Sequence, residues 1–420
     1  MVKQSARRLI ISFLIGATIA LLAGGAFWSG LFGTWQTKLT DKLFLSRQPQ
    51  SPIVILAIDD ASIKEIGQWP WPRAVHARAI LNLAAAKPKI VGYDIIFSEP
   101  SRQGAADDQV LVQALAQLPV VLPMEGSPLK LKKGQLPAAE NLIESTGPIK
   151  GAAKYFGHVN VLADEDGVVR RLPLFIEGGG QKLPSISLRL AGFFSGQDLQ
   201  EISKKTGQWL KINFVGPPGS FETISFKDVY SQKVAPEKFK DKIVLVGVTS
   251  PDLHDSQITP FSLGQKMPGV EIHANALETI LTQKFLFSVS DLNVWIFIFL
   301  LSLANSLTFS FIRRIWLAMS ASVALFLIYL IGALIFFESG WVFNLVHPSL
   351  AFLFSLLAIL VYHYFSESKE KNYLRRSFQF YLSPEVVEEI VADPEKLKLG
   401  GQKKEMTVLF SDIRGFTTLS

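Results

Sequence analysis

Cysteine is absent from all 420 residues. That excludes disulfides, thiolate metal sites and cysteine nucleophiles, and it suits a domain held in an oxidising compartment. Charge is scarce too. Asp, Glu, Lys and Arg make up 19% of the chain, against roughly 25% in soluble domains. The hydrophobic fraction is 49%, with 31 Phe and 8 Trp. A disordered or fibrous chain is thereby excluded, and a purely soluble one disfavoured. The balance of 42 Lys and Arg against 36 Asp and Glu leaves a net charge of only +6, too little to argue for a nucleic-acid partner. The length fits roughly two to three domains.

Long uncharged runs supply the missing polarity's counterpart. Leu9 to Trp28 has no charged residue. It is long enough to cross a hydrocarbon core and longer than the apolar region of a cleaved signal peptide. Three further runs, 292–311, 316–337 and 341–365, are joined by the short connectors 312–315 and 338–340, which predicts a tight antiparallel hairpin bundle. Basic residues set the orientation. Lys3, Arg7 and Arg8, then Arg313 and Arg314, then Lys369, Lys371, Arg375 and Arg376 all fall on one side, with Glu338 on the other. The expected plan is a cytoplasmic 1–8, a first span 9–28, an extracytoplasmic 29–290, the three spans, a cytoplasmic linker 366–400 and a further domain beginning at 401–420. Trp28, Trp295, Trp316 and Trp341 lie near span ends, as an aromatic belt requires. No span carries a mid-membrane charge, which weighs against a transporter or channel. His347-Pro348 reads as a kink in the last span. The expected location is the plasma or inner membrane, with lipid as an obligate partner.

The segment between the first and second spans alternates strand-like and helix-like stretches, which predicts an α/β domain with a largely parallel sheet. Apolar runs at 52–58, 90–96 and 242–248 read as strands, and 72–86, 107–118 and 270–281 as helices. Gly157–Leu162 and Val168–Phe175 flank Asp164-Glu165-Asp166-Gly167, a predicted hairpin with a solvated turn that only loosely fits a cation loop. Asp252, His254 and Asp255 form a polar cluster with a weak metal signal. Trp69-Pro70-Trp71-Pro72-Arg73 reads as a structural aromatic plug before it reads as a ligand platform. Asp59 and Asp60 follow the first strand and Asp94 the second, where α/β sheets place ligands. If the domain binds a ligand, those three carboxylates at neighbouring strand ends are the expected site. Helix capping is the competing reading for Asp59 and Asp60.

The order of these stretches is more telling than any one of them. Pro52-Ile-Val-Ile-Leu-Ala-Ile-Asp59-Asp60, the Trp-Pro-Trp-Pro-Arg turn, Val91-Gly-Tyr-Asp94-Ile-Ile-Phe97, Asp166-Gly-Val-Val-Arg170-Arg171, Lys242-Ile-Val-Leu-Val-Gly247 and Pro268-Gly-Val-Glu271-Ile-His273-Ala-Asn275 follow one another. Together, over about residues 35–285, they resemble the type 2 CHASE domain, the extracellular sensor of bacterial cyclases, histidine kinases and protein kinases. The three spans that follow also fit that family's layout. The resemblance implies a sensor whose ligand is unknown.

Beyond the last span, Thr407-Val-Leu-Phe410-Ser-Asp412-Ile-Arg-Gly415-Phe-Thr417 reads as a buried strand ending in a carboxylate and a Gly-containing turn. With Tyr381-Leu-Ser-Pro-Glu385 and Gly400-Gly-Gln-Lys-Lys404 before it, this stretch resembles the opening of a class III adenylate/guanylate cyclase domain, of α+β ferredoxin-like fold. The resemblance implies a metal site at Asp412 and the Ile413 carbonyl for two Mg²⁺ or Mn²⁺, and phosphate contacts at Gly415, Phe416 and Thr417. It implies ATP conversion to 3′,5′-cyclic AMP and diphosphate by a homodimer. The chain stops at Ser420, before the family's second metal carboxylate and its base-selecting residues, so the expectation is a truncated, inactive receptor cyclase. ATP over GTP rests on family frequency alone. A guanylate cyclase and a non-enzymatic sensory receptor are the alternatives. Phe365, Tyr373, Leu374, Phe378 and Tyr381 stand among charges after the last span, as a two-helix seam between protomers would need. Gly16, Gly24 and Gly25 of the first span are further candidates for close helix contact.

Overall fold

The computed structural model describes residues 2–132, 135–262, 264–312, 314–378, 405 and 407–410. From the N-terminus come α1 (Val2–Trp28), α2 (Gly33–Asp41), β1 (Ile53–Ile58), α3 (Asp60–Ile66), α4 (Arg73–Ala86), β2 (Ile90–Tyr93) and α5 (Ala105–Leu115). Next are β3 (Val120–Lys130), β4 (Ala138–Glu144), α6 (Gly147–Ala152), β5 (Tyr155–His158), β6 (Arg171–Pro173), β7 (Phe175–Gly178) and β8 (Gln181–Pro184). Then follow α7 (Ile186–Ser195), α8 (Leu199–Thr206), β9 (Trp209–Lys211), β10 (Glu222–Ser225), α9 (Phe226–Tyr230), β11 (Ile243–Val248), β12 (Ser256–Gln257) and β13 (Met267–Pro268). The last elements are α10 (Gly269–Thr282), β14 (Phe287–Ser288), α11 (Asp291–Phe311), α12 (Ile315–Glu338), β15 (Trp341–Val342) and α13 (Val346–Phe378).

Two compact units divide the chain, residues 1–355 and 356–420. The first is built on a mixed sheet of nine strands among the described residues, ordered β10-β1-β11-β2-β3-β4-β7-β8, with β5 also paired to β3. Strands β10, β1, β11, β2, β3 and β5 run parallel, whereas β3–β4 and β7–β8 are antiparallel. Every residue of β1 and β11 is buried, as continuous Val/Ile/Leu runs in a doubly covered parallel sheet should be. Alternation of side chains across the pleat splits the core in two. Ile53, Ile55 and Ala57 pack with α7 and α10, while Val54, Leu56 and Ile58 pack with α4, α5 and α9.

Several expectations are corrected. Asp164 to Gly167 does form a turn, its Asp164 N–H donating to Val168 O at 2.9 Å. The chain leaving it does not fold back on β5, however. Strand β6 pairs with β9 instead, and β5 pairs with β3. The last span begins at Val346 rather than Trp341: Trp341–Val342 is the short strand β15, paired with β14. His347-Pro348 is therefore the first helical turn and no kink, with Asn344 Oδ1 accepting from the His347 N–H at 3.0 Å. Proline is tolerated there because first-turn N–H groups have no intrahelical partner.

Among the described residues four helices are long and apolar enough to cross a membrane: Ala6–Trp28, Asp291–Phe311, Ile315–Glu338 and Val346–Ser366. Small residues let α1 and α11 approach closely. A Cβ on Gly16 would sit 3.1 Å from the Leu303 Cα, and one on Gly24 would overlap the Trp295 ring, whereas Gly25 faces open space. Gly16 and Gly24 thus serve contact within the chain. Ser302 Oγ donates to the Gly16 carbonyl at 2.8 Å, and Asn305 Nδ2 to Ser355 Oγ at 2.8 Å. The final helix α13 continues to Phe378. Tyr381 lies outside the described residues.

Candidate functional site

The C-terminal edge of the parallel strands carries several ionisable groups. Asp59 is an N-cap. Its Oδ1 accepts from the Ser62 N–H at 2.8 Å, Ser62 Oγ at 2.6 Å and Ser225 Oγ at 2.9 Å. Asp60 stands in the first turn of α3, where its charge favours the helix dipole. Asp94 follows β2, and its N–H continues the ladder to Val246 O at 2.7 Å. The expected triad is thereby corrected. Strand β11 lies between β1 and β2, so Asp59 and Asp94 end strands two places apart, and Asp59 is occupied by capping.

Asp94 has other neighbours. Burial pushes its carboxyl up to about 7, and Glu125 on β3 adds to the shift. Asp255 is pushed to about 6 by burial, reinforced by Asp94 and Glu125 and opposed by His273 of α10. His273 is held near 4 by burial, against the pull of Asp255. His158, at the end of β5, is held near 3 by burial and by His273. Asp94 and Asp255 are thus both held above the ordinary carboxylate range, each chiefly by burial. Asp94 is half-buried, whereas Asp255 and Glu125 meet solvent, so the group reaches the surface near the ends of β11, β2 and β3. Beside it, a cavity of about 560 Å³ is lined by Thr223, Thr249, His254, Ser256, Lys266 and Glu271. Glu271 accepts from the Gly219 and Ser220 N–H groups at 2.9 and 3.1 Å.

The acidic turn is solvated only in part: Glu165 is exposed, whereas Asp164 and Asp166 are taken up by Arg170. Arg170 donates to Asp41 at 2.8 Å through two nitrogens, to Asp164 at 3.1 Å and to Asp166 at 2.9 and 2.8 Å. Burial alone would lower the Arg170 guanidinium, but the bonds to Asp41 and Asp166 raise it above its ordinary value. Asp41 ends α2, just beyond the first span, so this bridge clamps the post-span segment to the sensor domain. Among the described residues no group of three or more His, Cys, Asp or Glu is placed to hold a metal ion. Neither residues 164–166 nor Asp252, His254 and Asp255 form such a group. The aromatic turn is a plug as expected: Trp71 is buried and its Nε1 donates to Gly67 O at 2.8 Å. Trp69 packs edge-on against it.

Asp412, Ile413, Gly415, Phe416 and Thr417 lie outside the described residues. Val408, Leu409 and Phe410 are described, are exposed and belong to no strand. The buried strand expected there is absent among the described residues, where no neighbouring strand supplies it with ladder partners.

The sequence reading missed Asp41 and Glu125, and named His273 only as part of a family stretch. Asp41 and Glu125 are single charges in otherwise unremarkable stretches. Their partners come from 129 residues away for Asp41 and from other strands for Glu125, so no local spacing marks them.

An α/β domain held between one helix of membrane-spanning length before it and three after it is the build of a membrane-anchored sensor. The chain belongs to the CHASE2 domain family, which it matches over residues 17–307. CHASE2 domains are extracellular sensor domains of signalling proteins. No curated protein and no solved structure matches the chain.

Proposed function

We propose that the chain is the sensing and membrane portion of a receptor cyclase that converts ATP to 3′,5′-cyclic AMP and diphosphate. One observation carries the reading. A CHASE2 domain and four candidate spans lead into Phe410-Ser-Asp412-Ile-Arg-Gly415-Phe-Thr417, which resembles the opening of a class III cyclase domain. The distribution of Lys and Arg supports residues 29–290 outside and 366–420 inside. In this reading Asp412 and the Ile413 carbonyl contribute to a site for Mg²⁺ or Mn²⁺. Two such cations, when bound, supply charge neutralisation at the reacting oxygens. Gly415, Phe416 and Thr417 present backbone N–H groups to the nucleotide phosphates. Active sites of this class resemble pockets shared by two protomers, so the working unit is a homodimer. Its seam includes Phe365, Tyr373 and Leu374.

The parent reading frame, expressed in membranes and supplied with Mn²⁺–ATP, tests the proposal. Cyclic AMP is the expected product, and Asp412→Asn lowers its rate by roughly 100-fold or more. Formation of neither cyclic AMP nor cyclic GMP refutes the enzyme. Cyclic GMP alone transfers the reading to a guanylate cyclase.

A further inference from the structure

A second cavity, of about 550 Å³, lies where the sensor domain meets the outer ends of α1 and α11. Phe27 of α1, Val294 of α11 and Phe343 of the α12–α13 turn give it apolar lining. Its depth in the membrane is set by its neighbours. Trp28, Leu31, Phe32, Trp35 and Leu39 are all exposed, Trp28 by 87% and Trp35 by 67%. They run from the end of α1 into α2. Large aromatics at a span end, continued by an amphipathic helix, sit at the level of lipid headgroups. The opposite, polar positions of α2, Thr34, Thr37 and Thr40, line the cavity. The cavity is therefore at headgroup depth.

Its charges are unusually incomplete. Lys211 of β9 lines it, and burial together with Arg171 holds the Lys211 ammonium below its ordinary value. Nζ donates to Ser288 Oγ, but no carboxylate among the described residues is in ion-pair contact with it. Asp164, the acid whose charge reaches Lys211, is bonded to Arg170 at 3.1 Å and to Arg171 at 3.0 Å. Arg171 is half-exposed and uses only Nε on Asp164. Burial makes the Lys211 ammonium costly to keep charged, so an anion placed against it would be favoured. Glu165 and Asp291 also line the cavity, are exposed and form no ion pair among the described residues. The site thus offers unpaired charge of both signs beside an apolar wall.

We propose that this cavity binds the headgroup of an aminophospholipid from the leaflet on the sensor side. Lys211 and Arg171 take the phosphate diester. Glu165 or Asp291 takes the ammonium. Phe27, Val294 and Phe343 pack on the first methylenes of the acyl chains. The bound lipid touches the sensor domain, α1 and α11 together, so its occupancy bears on how the domain is held over the spans. This inference does not depend on the cyclase reading.

The test uses the full chain, purified in detergent and stripped of lipid, with dihexanoyl phosphatidylethanolamine as probe and sodium phosphate as the competing source of anion. The lipid is expected to raise the thermal midpoint by a few degrees, and to bind Lys211→Met about tenfold or more weakly in native mass spectrometry. Should Lys211→Met fail to fold, Arg171→Gln, at a half-exposed position, carries the same measurement. Equal binding to wild type and variant overturns the proposal, as does no binding at all. A stabilisation reproduced by sodium phosphate alone overturns the lipid assignment in favour of a free anion.

Discussion

Replacing Arg170 by Met should do more damage than any other single surface-proximal change. The substitution keeps the aliphatic stem but removes five charge-assisted hydrogen bonds. It leaves Asp41, Asp164 and Asp166 close together, with Arg171 the one cation still in ion-pair contact with them among the described residues. Breaking a buried ion pair from one side costs about 3–5 kcal/mol, because the orphaned charge keeps its desolvation penalty. Here the side chains of Asp166, Asp41 and Asp164 are still 12%, 13% and 21% exposed, so the lower end, about 3 kcal/mol, is the better figure. At roughly 2–4 °C per kcal/mol for a domain of this size, the midpoint falls by about 6–12 °C. Tryptophan fluorescence during thermal unfolding of the full chain in nanodiscs reads it directly. Asp41→Asn placed on Arg170→Met should recover at least about 1 kcal/mol, because the two changes touch one network. The pH dependence has a definite sign. Hydrogen bonds from Arg170 hold the Asp166 carboxyl below its ordinary value, against burial. Its stabilising contribution is therefore present above the unfolded value near 3.8 and lost as pH falls through the lowered one. A drop of less than 2 °C in Arg170→Met, roughly 1 kcal/mol or less, would refute the clamp.

Asp94 behaves in the opposite sense. Its folded value of about 7 lies above the ordinary 3.8, so its contribution is full below about pH 4 and is lost as pH rises to 7. Asp94→Asn is expected to be about 1–2 kcal/mol more stable than wild type at pH 8, allowing for partial solvent contact, with the gap closing by pH 4. A gap that stays constant from pH 4 to 8 would sink this. In the membrane, Gly24→Leu forces the chain against Trp295 and should cost about 1–3 kcal/mol, whereas Gly25→Leu, facing open space, stays within about 0.5 kcal/mol. Equal effects would show that α1 and α11 do not pack as described. A single cysteine at position 338, in this cysteine-free chain, should react with an impermeant maleimide from the sensor side only. Labelling from the linker side alone reverses the orientation.

The sequence by itself determined the parts whose signal is local. Four helices long and apolar enough to cross a membrane, the strands at Ile53–Ile58 and Ile243–Val248 and the helix at Gly269–Thr282 could be read directly, the start of the last long helix excepted. A run long enough to cross a bilayer, or a buried strand, reveals itself in consecutive residues. The family too was legible, from the order of its stretches. Only the tertiary structure decided which of those parts meet. It put β11, 150 residues after β2 in the sequence, between β1 and β2, and so separated Asp59 from Asp94. It joined Asp41 to Arg170, brought Glu125 and His273 to Asp94 and Asp255, and turned Gly16 and Gly24 toward α11. Parallel pairing, ion pairs and helix packing are set by contacts between distant segments. A strand-end carboxylate looks the same in sequence whether it caps its own helix, as Asp59 does, or lies buried beside another acid, as Asp94 does. What distinguishes them is which neighbour the fold places beside each one.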